Sequence, residues 1–394
     1  MKISARASRI SPFYVMEMAK AAVAAGQTVS NTDSPMVFLN IGEPDFTAPP
    51  LVQEAAAKAI FDGVTQYTPA LGIPQLRERL SEWYATRFGV SIPASRIVVT
   101  AGASAALLLA CIALLDEGDE MLVPDPSYPC NRHFVGVAGA TTVAIPVTEQ
   151  ERFQLDASKV LAAWGPRTRG VILASPSNPT GTSIDRAQLR SIHESVCARG
   201  GVTLIDEIYL GLSFDPQYSQ TALALDDQII SINSFSKYFS MTGWRLGWMV
   251  IPDALVGTVE RLAQNLFICP SSLSQMAALA CFESGSLNEY ERRRQEFMAR
   301  RDYFIPALRA LGLHVPVMPD GGFYAWADCS TVCQKLGLKD SWEFAFELMK
   351  RAHIAVTPGR DFGVHQTHQF IRFSTANSMS QLQESVSRLQ ALLA

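Results

Sequence analysis

Two cations, Lys237 and Arg245, stand alone in the stretch SINSFSKYFSMTGWRLGWMV (231–250), which is otherwise apolar, aromatic or small. A folded chain rarely leaves charge in such a setting unless something neutralises it. A lysine amine stripped of water loses its proton more readily and becomes a nucleophile able to condense with an aldehyde. Eight residues on, placed by the spacing on the following strand, Arg245 offers a planar fork suited to a phosphate beside the hydroxyls of Ser234 and Ser236. An aldehyde and a phosphate on one molecule describe pyridoxal 5′-phosphate.

That molecule makes a further demand, because its pyridine nitrogen needs a carboxylate to keep it protonated and electron-withdrawing. Asp206 closes the apolar run GVTLID (201–206), at the strand end where ligand-facing residues of α/β sheets lie. Tyr209 follows within reach of a ring hydroxyl, and Asn178 in ASPSNPTG (174–181) is a second partner for the same oxygen. The turn TAGAS (100–104) presents the backbone N–H groups of Gly102, Ala103 and Ser104 at a helix start, a ready phosphate cradle. Tyr128 in PDPSYPC is placed to stack on a ring. Taken singly, each residue also has a plainer reading. Lys237 fits a snorkelling surface side chain, Arg245 a core ion pair, Asp206 a helix N-cap, SNPTG a simple turn and Tyr128 a packed aromatic.

The elements that would position these residues are legible as alternating patterns. Short β-branched runs at 96–100, 120–124, 141–145, 170–174, 201–206, 228–233 and 245–251 are separated by helical stretches. Apolar strands spaced by helices predict an α/β core, a mostly parallel seven-stranded sheet between helices. The run Ala103–Leu115 reads as a buried helix, too short to span a bilayer. From about Leu287 a long charged helix begins, and extended segments lie near the N-terminus (MVFLNIG, 36–42). This predicts a smaller α+β domain built from both chain ends: an arm and part of that domain over 1–45, a large domain over 46–286 and the rest over 287–394.

Composition narrows the function classes. The 394 residues carry 33 Lys+Arg against 37 Asp+Glu, a net charge of -4, with no basic stripe for nucleic acid and no Lys/Arg run for a membrane surface. Neither GxGxxG after a strand nor GxxxxGK[ST] occurs. The seven cysteines lack paired CxxC spacing and read as reduced thiols of a cytoplasmic protein. The single H-x-x-H pair, His365 and His368, reads as a polar loop without metal. Arg77, Arg79 and the ERRR run at 291–294 read as solvated helix faces.

In order along the chain, GEPDF (42–46), QYTPALGIPQLRE (66–78), SNPTG (177–181), DEIY (206–209), SFSK (234–237) and GWRLGW (243–248) resemble the fold type I, class I pyridoxal-phosphate aminotransferases, near the bacterial aspartate, aromatic and alanine branch. The resemblance runs from about Ser8 to the C-terminus, so the Arg- and Ser-rich opening residues read as an N-terminal arm and not as an organelle transit peptide. It implies an internal aldimine on Lys237 and a ping-pong exchange of an amino group between an amino acid and a 2-keto acid. It also implies a homodimer in which Tyr67 reaches the partner's cofactor phosphate, Arg372 on the substrate α-carboxylate, and the backbone near Gly42 along the substrate pocket.

Two departures bear on the substrate. Aspartate-specific relatives of this branch often carry lysine in the strand-to-helix turn, where this chain has Ser104. Where glycines often precede the carboxylate arginine, this chain has GVHQTHQFIR, whose histidines are expected to narrow or polarise the pocket mouth. Within the fold a C–S lyase is the rival activity, and a non-catalytic ligand sensor is the rival of another class. The sensor lacks the N-terminal helix-turn-helix and basic stripe it would need.

Overall fold

The computed structural model describes residues 1–28 and 35–394; the part of the expected arm at 29–34 lies outside the described residues. Strand β1 (Val37–Phe38) belongs to the smaller region, and the seven strands read from the sequence follow as β2 (Ile97–Thr100), β3 (Glu120–Asp125), β4 (Thr141–Pro146), β5 (Thr168–Ala174), β6 (Val202–Asp206), β7 (Ile230–Ser234) and β8 (Gly247–Val250). They form one sheet in the order β2-β8-β7-β6-β5-β3-β4. β8 runs antiparallel to both of its neighbours, and the remaining pairs are parallel. β2, β7 and β8 are buried at every residue, as expected for strands covered by helices on both faces, whereas the edge strand β4 is largely solvated.

The apolar run expected as a buried helix is the helix Gly102–Leu114, entered directly from β2. Arg245 departs from expectation. It does not lie on β8 but closes the 3₁₀ turn Thr242–Trp244 in the left-handed region at φ 53°. That conformation, uncommon for a residue with a Cβ, turns the guanidinium back toward the start of the Gly102–Leu114 helix.

The smaller region combines the chain ends. β1 pairs in parallel with β10 (Ile354–Ala355), and β11 (Thr357–Pro358), β12 (Phe370–Ser374) and β9 (Tyr324–Asp328) form an antiparallel sheet in the order β11-β12-β9. Its core gathers Met18, Val37 and Leu39 with Phe304, Leu308, Phe344, Phe373 and Leu382. The long helix Ser284–Ala310 joins this core to the large sheet's, because Tyr290, Phe297 and Phe304 recur at a seven-residue spacing on one face. Its basic run is not simply solvated. Arg293 is buried, its Nε donates to Glu289 at 2.7 Å and its Nη1 to the Thr47 carbonyl at 2.6 Å. Arg77 likewise donates from Nε to the Ile97 carbonyl at 2.8 Å. Among the described residues no helix is long and apolar enough to cross a membrane.

Phe304 is fully buried and meets Phe373 edge-on at 5.8 Å. Phe304→Ala is expected to lower stability by about 3–5 kcal/mol through the lost transfer and the cavity left behind. Urea unfolding checks this, and an unchanged midpoint would contradict the packing described.

Candidate active site

The chemistry-bearing residues converge at the carboxyl ends of the central strands. All those expected from the sequence line one cavity of about 590 Å³ except Gly102, against which Arg245 packs, and Tyr67. Tyr67 stands on the outer surface, 81% exposed in the single chain. His365 and His368 do not reach this cavity, contrary to the expectation that they shape its mouth. His365 lines a separate hollow beside Trp326 and Phe370, and its backbone N–H donates to Asp125 Oδ2 at 3.1 Å.

Lys237 follows β7 by three residues and extends into the cavity, where its Nζ donates to the Gly42 carbonyl at 2.5 Å. Burial pushes the amine's pKa down to about 8, aided by the Arg372 and Arg245 guanidiniums and opposed by Glu43 and Asp206. Asp206 ends β6 with only 7% of its surface exposed, and one oxygen accepts from the Ile208 N–H at 3.0 Å. Burial raises this carboxyl to about 7; the Ile208 bond opposes the rise, Glu207 adds to it and Lys237 opposes it.

Strand alternation turns Glu207 to the other face of the sheet, where Thr221 Oγ1, Ser231 Oγ and the Ala222 N–H donate to its carboxylate. Sequence reading passed over Glu207, although that alternation was available to predict a second buried acid. Tyr324 and Asn40 were also missed. Tyr324 Oη lies 2.7 Å from Tyr209 Oη, and a side chain at Gly42 would collide with it, a Cβ falling 1.9 Å away.

The first turn of the Gly102–Leu114 helix brings Ala103 and Ser104 into the cavity that Ser234, Ser236 and Arg245 also line. The Ser234 and Ser236 hydroxyls are 2.9 Å apart. Gly102 has φ +79°, which favours glycine, and an added Cβ would lie 2.7 Å from Arg245 Nη2, so any larger residue would also displace the guanidinium. Helix-start amides, two hydroxyls and a guanidinium make an anion cradle. With an amine and a buried carboxylate lining the same cavity as this cradle, the donor set fits the polar groups of pyridoxal 5′-phosphate.

Arg372 on β12 is 2% exposed and tightly aimed. Its Nη1 donates to Asn178 Oδ1 at 2.8 Å, its Nη2 to the Asn40 carbonyl at 2.6 Å, and its face covers the Tyr324 ring at 4.3 Å. Asn178 sits in a turn closed by the Gly181 N–H on the Ser177 carbonyl at 2.8 Å, so the turn expected of SNPTG is present at the cavity wall. Tyr128 and Phe13 both line the cavity and meet edge-on at 6.3 Å. Among the described residues, no group of three His, Cys, Asp or Glu is placed to hold a metal ion.

The lowered pKa has a direct readout. In cofactor-free protein, modification of Lys237 by an amine-selective reagent is expected to be half-maximal near pH 8, as the neutral fraction grows with rising pH. Peptide mapping checks this, and a midpoint above about pH 10, the ordinary lysine range, would contradict the environment described.

Comparison with known proteins gives one answer. Residues 34–389 match the family model for aminotransferases of class I and II. Valine–pyruvate aminotransferase of Mycobacterium tuberculosis is 37% identical over 98% of this chain and 97% of its own length. Aspartate aminotransferase of Rhizobium meliloti is 34% identical over 98% and 95% respectively. A crystal structure of an aminotransferase from M. tuberculosis superposes with a TM-score of 0.94 at 35% identity, covering 100% of this chain and 99% of that one. Thermus thermophilus aspartate aminotransferase with maleate gives 0.91 at 29% identity, covering both chains in full. With the whole length matched and the expected residues gathered in one cavity, the chain belongs to the class I and II aminotransferases.

Proposed function

We propose that this aminotransferase uses pyridoxal 5′-phosphate to move the amino group of an L-amino acid to a 2-oxo acid in a ping-pong exchange. The observation that carries the reading is the Lys237 amine, lowered toward neutrality in a cavity shared with Asp206, Arg245 and Arg372. Gly102, Ala103, Ser104, Ser234, Ser236 and Arg245 hold the phosphate. Asp206 holds the ring nitrogen's proton, Asn178 and Tyr209 take the ring oxygen, and Tyr128 covers the ring face. When bound, the cofactor supplies an electron sink for the pair left as the substrate Cα–H bond breaks.

Lys237 would be the covalent attachment point and, once displaced by the donor's amine, the base that takes the substrate Cα proton and returns it to the carbon that the cofactor's aldehyde contributes. A pKa near 8 suits that task, because a useful fraction is neutral at physiological pH while the conjugate acid still donates. Arg372 grips the α-carboxylate, pre-aimed by Asn178, Asn40 and Tyr324. The backbone of Gly42 lines the substrate side. The large cofactor-binding region is taken as 46–286, the smaller as 1–45 and 287–394.

A homodimer is part of this reading, with Tyr67 reaching the partner's cradle. The exposed apolar side chains of Ile60, Phe61 and Tyr67, close together in sequence, support a covered surface there. Relatives named for valine and for aspartate leave the donor's side chain open.

Lys237→Ala is expected to abolish turnover and the visible absorbance of the purified protein, and parental turnover in this variant would remove the lysine from the mechanism. Arg372→Ala is expected to raise the amino-acid KM by about thirty- to a hundredfold, matching one or two lost charge-assisted hydrogen bonds, with a smaller effect on cofactor occupancy. An unchanged KM would take Arg372 off the carboxylate. Ammonia and pyruvate released from a cysteine thioether, with no 2-oxo acid required, would move the activity to a C–S lyase.

A further inference from the structure

Resting on the aminotransferase reading, we propose that the amino donor is monocarboxylic with an apolar side chain, selected by a wall built from Phe13 and the first turn of the helix Tyr14–Thr28 that follows it. Among the described residues, the only Lys, Arg or His side chains lining the cavity are Lys237, Arg245 and Arg372. On that reading each is already taken: Lys237 by the cofactor, Arg245 by its phosphate, and Arg372, held by Asn178 and Asn40, by the α-carboxylate. The other charged groups of the lining, Asp206 and Glu43, are acids. A second substrate carboxylate would shed its water with no cation of this chain left to meet it.

The surface that a donor side chain would meet is apolar instead. Phe13, Val15 and Met16 face the cavity together with Ile41 and Leu107. Their backbone is fixed. The Asp361 carboxylate is fully buried and accepts from the Tyr14 N–H at 3.3 Å and the Val15 N–H at 3.1 Å. A carboxylate thus caps the first amides of this helix from a remote loop. Asn40 Nδ2 donates to the Val15 carbonyl at 3.2 Å from the other side, and Tyr14 meets Trp342 edge-on at 5.5 Å. The wall is therefore preformed, and Asp361 is its positioning residue.

The test is the half-reaction of the cofactor-loaded enzyme, followed by absorbance without 2-oxo acid, using leucine, valine, methionine, phenylalanine, alanine, aspartate, glutamate and lysine as donors. The apolar donors are expected to react at least about a hundredfold faster, as second-order rate constants, than aspartate, glutamate or lysine. Aspartate, glutamate or lysine reacting as fast as leucine overturns the inference while leaving the aminotransferase reading intact. Failure of every donor overturns that reading, and this inference with it.

Phe13→Ala is expected to lower the leucine-to-alanine rate ratio about tenfold. Asp361→Ala is expected to lower the same ratio, and Asp361→Asn, which keeps one accepting oxygen, to restore most of it. An unchanged ratio in both Phe13→Ala and Asp361→Ala removes the helix from substrate selection and overturns the assignment of the wall.

Discussion

Keeping an ammonium in a cavity with two guanidiniums is electrostatically costly, and most of the site can be understood as the terms of that arrangement. Burial and the charges of Arg372 and Arg245 push the Lys237 amine toward its neutral form, while Glu43 and Asp206 keep the depression moderate. The same low dielectric raises Asp206. A carboxyl held near 7 and an amine near 8 are both close to their tipping points, so a bound cation or anion can reset either one. A phosphate at the Gly102 cradle and a ring-nitrogen proton at Asp206 would supply those two charges.

The pairing depends on backbone contributed by the smaller region. Gly42 and Asn40, whose carbonyls receive Lys237 and Arg372, belong to a segment that the long helix grips from behind. Arg300 forms a two-point pair with Asp45, at 2.7 and 3.0 Å, and its guanidinium covers Phe46 at 5.0 Å, while Arg293 holds the Thr47 carbonyl. A planar fork suits this role because it satisfies a carboxylate and an aromatic face together. The helix that joins the two cores therefore also sets the carbonyls against which both cations rest.

Strand ends were the legible part of the sequence. A run that is apolar throughout predicts a buried strand, and a charged or polar residue just beyond it falls where α/β sheets bind ligands, which places Asp206 and Lys237 without any tertiary information. Arg245 was misplaced because its left-handed backbone reverses the chain before β8, and nothing local demands that conformation of an arginine. Arg293 is buried by the carbonyl of Thr47, a partner 246 positions away. Asp361 reaches across 347 positions to Tyr14, and Tyr324 meets Tyr209 across 115. Such contacts carry no local periodicity, so pattern reading passes over them. His365 and His368 were drawn toward the pocket by their closeness in sequence to Arg372. The Asp125 carboxylate accepts from the backbone N–H groups of Val364 and His365, and His365 lines a different hollow.

The central claim is that Lys237 is the point of covalent attachment in this cavity, and reductive trapping tests it most directly. The protein is loaded with pyridoxal 5′-phosphate, reduced with borohydride, digested and mapped by mass spectrometry. The account predicts one phosphopyridoxyl group per chain, on the peptide containing Lys237. A label carried by another lysine, or none on a protein that retains the cofactor's visible absorbance, would contradict it.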